Sequence, residues 1–110
     1  MISDTIQKLE ARLRGAEAIT PAQREELLKL LATLQAEVAS LARTHEDEAR
    51  SIEGFTLVST HEATRGGKNA ALMHHSLKGL AQSVEGFEQS HPKLVQVVNS
   101  ICTTLSNLGI

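Results

Sequence analysis

The chain has 110 residues, an apolar fraction of 41% and a formal net charge of −2, which bound it to one small globular domain. Its isoelectric point of about 6.2 argues against a nucleic-acid binder built on a basic patch. The single cysteine excludes an internal disulfide framework and a cysteine-based zinc site within one chain. Seven glycines and only two prolines disfavour a turn-rich β-sandwich and favour helices.

A first helix is predicted over residues 3–15, with Ser3 as its candidate N-cap and Gly15 at a left-handed C-cap. Its apolar positions alternate between spacings of four and three, which is typical of a heptad seam. The members of this seam are Ile2, Ile6, Leu9, Leu13 and Ala16. Residues 15–19 are then expected to form a short connector.

A second and much longer helix is predicted over residues 21–56. Thr20 followed by Pro21 indicates its start, because a hydroxyl cap often precedes a proline at the first helical position. The seam continues through Leu27, Leu31, Leu34, Val38, Leu41, His45, Glu48, Ile52 and Phe55. Its polar members His45 and Glu48 could pair with each other, form a polar layer that sets the register, or simply be exposed. Such a helix would be ~54 Å long. Because that exceeds the diameter of a compact domain, the helix would need a partner along its length.

Residues 56–68 leave two interpretations open. They begin with poor helix formers, and Ser59 with Glu62 matches a capping box that would start a short new helix. Alternatively, the long helix continues to Arg65. In both cases the glycine pair at 66–67 ends the helix.

Two further helices are predicted over residues 69–90 and 92–108. Asn69 is the candidate cap of the first, and Pro92 separates the two, because the residue before a proline avoids the helical region. Their seams are Met73, Leu77, Leu80, Val84 and Phe87, and then Leu94, Val98, Ile101, Leu105 and Leu108. The end of the chain from residue 94 carries no charged side chain but is too polar and short to span a membrane. It suits a central helix or a subunit interface.

Residues 49–55 resemble residues 81–87 and share the pattern Ser-apolar-Glu-Gly-Phe. We call this short internal sequence similarity the internal echo. Gly54 and Gly86 would each cost ~1 kcal/mol relative to alanine inside a helix. Close helix–helix approach at both glycines would explain the pattern. The alternative is a chance echo between two amphipathic helices.

A weak metal-site hypothesis involves Glu88 and His91, which have the i, i+3 spacing of ligands in di-iron helical bundles. That architecture needs a second Glu-x-x-His motif, which only a second copy of the chain would supply. His61 and Glu62 are the further candidates. Since His91 lies next to Pro92, a role in a cap or turn is favoured, and neither a metal nor a cofactor is predicted.

Other polar features have structural interpretations. His74 and His75 point about 100° apart on a helix, so they cannot readily share one ion. Residues 65–69 place two cations before a helix N-terminus and could hold an anion, but they lack the Walker pattern. Cys102 has no catalytic partner at an interpretable spacing and suits a small buried hydrophobe. No catalytic signature is found, so we predict that the protein is not an enzyme.

The C-terminal third carries two short motifs. Phe87, Glu88, His91 and Pro92 fit a Phe-Glu-x-x-His-Pro stretch, and Leu105, Gly109 and Ile110 fit a Leu-x-x-Leu/Met-Gly-Ile terminus. In these motifs the chain resembles a family of small uncharacterised bacterial proteins with an N-terminal pair of leucine-rich helices. Residues 45–70 are longer than the family pattern, which suggests an insertion or a subfamily feature. The resemblance implies a bacterial helical protein and adds no mechanism.

We therefore predict an all-α fold, a small antiparallel helical bundle around one long helix, formed by a single domain over residues 1–110. Seams on all four helices offer more apolar surface than a monomer readily hides, so a homo-oligomer is expected and a dimer is favoured. The predicted interface consists of Leu27, Leu31, Leu34, Val38, Leu41, Leu94, Val98, Ile101 and Leu105.

The predicted function is that of a non-enzymatic interaction or scaffold protein. It is expected to self-associate through its seams. An unknown protein partner is possible, and binding to nucleic acid or to a membrane is not expected. Without a signal peptide or a membrane span, a cytoplasmic location is expected. The alternatives are a carboxylate–histidine metal protein and a small anion-responsive regulator.

Overall fold

A computed structural model describes residues 2–15 and 19–108 of the chain, and these residues form five helices and no strand. The predicted all-α bundle is thereby confirmed. Its helices are α1 (Ile2–Gly15), α2 (Pro21–Leu41), α3 (Glu46–Thr64), α4 (Ala70–Ser83) and α5 (Pro92–Leu108). The bundle measures 38 × 25 × 21 Å.

The predicted N-caps of α1 and α2 have different outcomes in the structure. α1 begins at Ile2, so Ser3 lies inside the helix and is not its N-cap. α2 begins as predicted, because Thr20 Oγ1 accepts from the backbone N–H of Gln23 while Gln23 Oε1 accepts from that of Thr20, both at 3.1 Å. This reciprocal pair is a capping box. The predicted seam position Ala16 and the Gly109–Ile110 terminus lie outside the described residues.

The predicted helix over 21–56 is wrong, because the chain turns at residues 42–45 between α2 and α3. Thr44 and His45 both donate their backbone N–H groups to the carbonyl of Leu41, and His45 takes a non-helical conformation with φ −137° and ψ 67°. Three acidic residues follow directly, in the first turn of α3, where they complement the helix dipole. The turn removes the polar layer: His45 lies outside both helices, and Glu48 is exposed.

Residues 56–68 follow the second of the two interpretations, since α3 continues to Thr64. Ser59 lies in the middle of α3 and donates its hydroxyl to the carbonyl of Phe55, so the capping box with Glu62 does not form. The helix ends just before Arg65, and the glycine pair follows in the non-helical connector, as expected. Asn69 caps α4 as predicted, accepting from the backbone N–H of Leu72 at 3.0 Å.

The third predicted helix, over 69–90, is too long by seven residues, because α4 ends at Ser83. Gly86 has a positive φ of 95°, a conformation that glycine adopts without strain and other residues avoid. The carboxylate of Glu88 accepts from the backbone N–H of Gly86 at 2.8 Å and fastens this turn. The last helix, α5, covers the predicted range 92–108.

Two helix pairings dominate the bundle: α3 packs against α4, and α2 packs against α5. The nine residues predicted to form a subunit interface all lie in the core of the single chain, each at most 1% exposed. They are Leu27, Leu31, Leu34, Val38, Leu41, Leu94, Val98, Ile101 and Leu105. The structure therefore differs from the expected interface: the α2 and α5 seams cover each other within one chain, and a second copy could reach them only by unpacking the core.

The internal echo is not a structural repeat. Residues 49–55 are helical throughout, whereas residues 81–87 run from the end of α4 into the following turn. Neither glycine of the echo marks close helix packing, because a Cβ added at Gly54 or Gly86 would meet nothing within 4 Å. The close approach lies at Gly79, where an added Cβ would overlap the Phe55 ring and lie 2.9 Å from its Cζ atom.

Candidate interaction surface

The middle of α3 carries three exposed apolar side chains. Phe55, Leu57 and Val58 are 39%, 41% and 47% exposed. The side of α3 that faces the core carries the buried residues Ala49, Ile52 and Ala63. The helix therefore has apolar side chains in the core and also at its exposed surface. We call Phe55, Leu57 and Val58 the α3 apolar surface. Leu72 on α4 is the other large exposed hydrophobic residue among those described, at 46%.

A groove between α1 and α3 borders this surface. It consists of two adjoining hollows of about 640 and 390 Å³, and Leu57 lines both. The larger hollow reaches Glu46 and Glu53 near the start of α3, and the smaller one reaches Lys8 and Arg12 of α1. The groove is therefore more acidic at one end and basic at the other.

Two side-chain hydrogen bonds hold α1 alongside α3. Thr5 donates its hydroxyl to the Glu53 carboxylate, and Arg12 Nε donates to Thr64 Oγ1 at 2.8 Å. Both partners advance together along the chain, so the two helices run in the same direction. This arrangement places the basic residues of α1 beside the C-terminal half of α3.

Small polar side chains are buried on the inner side of α3. Thr56 and Ser59 are buried, yet their hydroxyls donate to the carbonyls of Ile52 and Phe55 in their own helix. Their polarity is thus satisfied locally, and they need no polar partner on a neighbouring helix. Sequence reasoning missed this burial, because these residues are not part of an apolar seam; the clustering of Thr and Ser around residues 56–60 was the available signal.

The candidate metal ligands do not converge. His61 and Glu62 lie near the end of α3, while His91 lies beside His45 at its start, with ring centroids 6.3 Å apart. The rise of a helix puts these two ends roughly 24 Å apart. Within the described residues, no group of three or more His, Cys, Asp and Glu side chains is arranged to hold a metal ion.

Each candidate ligand instead has a structural partner. The buried Glu62 carboxylate pairs with Arg65 at 3.1 Å, and His61 lies 3.9 Å from its second oxygen. Glu88 fastens the turn at Gly86. The rings of His45 and His91 both pack edge-on against Phe87, with centroid distances of 5.4 and 5.5 Å. His91 thus occupies a turn between helices, the role that its sequence position favoured.

Both cations of the candidate anion-binding turn, residues 65–69, have partners within the chain. Arg65 binds Glu62, and Lys68 Nζ donates to the carbonyl of Leu108 at 2.7 Å, where it closes the last turn of α5. Cys102 is partly buried and lies 3.9 Å from the carbonyl of Leu77, and this burial raises the pKa of its thiol. His74 and His75 contact each other edge-on at 5.9 Å.

The fold and this surface define the chain as an all-α bundle of five described helices with an outward-facing apolar helix side. Residues 60–110 match the family model of a domain of unknown function, DUF4404. This match confirms the resemblance of the C-terminal part to an uncharacterised domain family. No curated protein matches the chain. No solved structure matches it either. Among the described helices, none combines the length and the apolarity needed to cross a membrane.

Proposed function

We propose that the protein is a non-enzymatic helical interaction protein that works by self-association. The observation that carries this proposal is the α3 apolar surface, where three large hydrophobic side chains within four consecutive residues are each 39–47% exposed. Large exposed apolar side chains grouped on one helix of a small domain typically mark a contact with another macromolecule. We therefore propose that the expected dimer forms through α3 rather than through the α2 and α5 seams.

The first experiment is light scattering on a sizing column, with refractive-index detection because the chain has neither Trp nor Tyr. We expect a mass that is a multiple of 11.9 kDa. Val58→Asp should reduce that mass to one chain while leaving the helical circular dichroism intact. Charging an exposed side chain disturbs an interface without disturbing the core.

Two control variants make this test specific. Leu72→Asp places the same charge on an exposed apolar residue of α4 and should leave the mass unchanged. Leu34→Asp places it in the core and should unfold the chain. A wild-type chain that is monomeric at all concentrations would overturn the proposal. The bacterial origin, the cytoplasmic location and the absence of enzymatic activity stay predictions.

A further inference from the structure

A second 4-3 pattern runs along the outside of α3. Asp47, Ser51, Gly54, Val58 and His61 are spaced by four, three, four and three residues, and all five are exposed. Such spacing places them in one strip on the helix surface. We call these five residues the outer strip of α3. It lies beside the α1–α3 groove, which Gly54, Val58 and His61 also line.

No contact or backbone conformation within the described chain explains why residue 54, at the centre of the outer strip, is a glycine. It lies in the middle of a helix, its φ is not positive, and an added Cβ would meet nothing within 4 Å. Glycine at such a position destabilises the helix relative to alanine. A helix of a second molecule that crosses closely over this point would require a residue this small.

The polar end residues of the outer strip lie symmetrically about Gly54. Asp47 lies seven residues before it and His61 seven residues after it, so each is ~10.5 Å from the centre. Lys8 and Arg12 add positive charge beside the His61 end. Asp47 and Glu48 add negative charge at the other end, where Arg50 already pairs with Glu46.

We propose that a second copy of this chain docks on the outer strip, with the two α3 helices antiparallel and crossing at Gly54. A two-fold axis at Gly54 brings Asp47 of each copy opposite His61 of the partner subunit. Val58 of each copy then packs over Ser51 and Gly54 of the partner subunit. The strip is complementary to itself in size, and its acidic end meets the end beside Lys8 and Arg12, as a two-fold interface requires. This inference rests on the proposed self-association and specifies its geometry.

The steric part is tested with Gly54→Leu, measured by sedimentation equilibrium over a concentration series. We expect the dimer dissociation constant to rise by about tenfold or more, because the larger side chain separates the crossing helices. The monomer should fold as well as the wild type, since a Cβ at this position meets open space. An unchanged dissociation constant would overturn the crossing at Gly54.

The orientation is tested by exchanging charges. Asp47→Lys should weaken the dimer by about tenfold, because it brings a lysine opposite the end of the strip that carries Lys8 and Arg12. His61→Glu should weaken it similarly, by bringing a second carboxylate opposite Asp47. The double variant D47K/H61E should restore the wild-type affinity only if the helices are antiparallel. In a parallel pair each residue would face its own counterpart, and the double variant would stay weak.

Glu48→Lys is the matched control for Asp47→Lys. It makes the same charge change in the same first turn of α3, also at an exposed residue, but one position away from the outer strip. We expect it to raise the dissociation constant by less than Asp47→Lys does, because its side chain lies off the strip. A wild-type dimer that is indifferent to the strip variants, or that the double variant fails to restore, would overturn this geometry while leaving self-association in place. A monomeric wild type would overturn both.

Discussion

Phe55 and Gly79 form the tightest contact found at a glycine in the described chain. The Phe55 ring occupies the space in which any side chain at position 79 would begin. Gly79→Ala should therefore lower the free energy of unfolding by about 1–3 kcal/mol, as overpacking does, despite the better helix propensity of alanine. Urea denaturation followed by circular dichroism measures the change.

Gly54→Ala is the matched control, since it makes the same substitution inside a helix but meets open space. It should raise the stability of the monomer by up to ~1 kcal/mol. Both variants are best compared in the Val58→Asp background, so that dimerisation does not contribute. A Gly79→Ala chain as stable as its parent would show that the ring moves aside freely.

Cys102 is the other residue whose environment has a measurable chemical consequence. Burial raises the pKa of its thiol, so the thiolate is disfavoured in the folded chain. Its alkylation by iodoacetamide at about pH 8 should be slower in the native chain than in urea, where the thiol titrates near 8.5. Mass spectrometry follows the rate, and equal rates would contradict the prediction.

The sign of the pH dependence follows from the same shift. A thiol whose pKa is higher in the folded state stabilises the fold below the unfolded pKa and loses that contribution as the pH rises through the folded pKa. Stability should therefore fall in alkaline solution, and Cys102→Ser should remove part of that fall. Thermal denaturation across the alkaline range tests this dependence.

At the scale of the helix, the capping box of α2 is the clearest local determinant. Thr20→Ala should lower the free energy of unfolding by about 0.5–2 kcal/mol, because it leaves a backbone N–H of the first turn without its acceptor. Thr33→Ala in the middle of α2 is the control. Thr33 is half-buried and its hydroxyl donates to the carbonyl of Lys29 in its own helix, so alanine there should be neutral or slightly stabilising. Equal losses in both variants would contradict the role of the cap.

The same helices show what could be predicted from the sequence. Apolar spacing identified Leu9, Leu13, Leu80, the α2 seam and the α5 seam as far as Leu105 as buried, because a core-facing stripe is a property of one helix. It failed where the chain turns at residues 42–45, since the 4-3 spacing continues across the turn. The three acidic residues after His45 were the better signal.

The candidate surface was missed for a related reason. Leu57 and Val58 lie off the predicted seam, and the prediction assigned association to the seam residues themselves. Whether an apolar seam is covered by its own chain or by another depends on tertiary packing. The spacing of apolar residues along one helix carries no information about that packing. The importance of Gly79 likewise depends on a ring 24 residues away in the sequence.

At the scale of the whole molecule, the family match and the core do not coincide. Residues 60–110 include α4 and α5 but only the last turn of α3 and none of α2. We therefore expect a fragment over 60–110 to lack a cooperative thermal transition, because the buried face of α5 loses its cover of Leu27, Leu31 and Leu34. Circular dichroism of the fragment and of the full chain provides the comparison. A sharp transition in the fragment would show that the C-terminal part folds on its own.

The pairing of α2 with α5 also has a consequence for synthesis. Residues 42–91 must be added after α2 is complete and before α5 begins. At typical rates of synthesis this interval lasts roughly 3–10 s. During that time the leucine face of α2 has no α5 to cover it, so the nascent chain presents to chaperones an apolar helix that the finished protein hides.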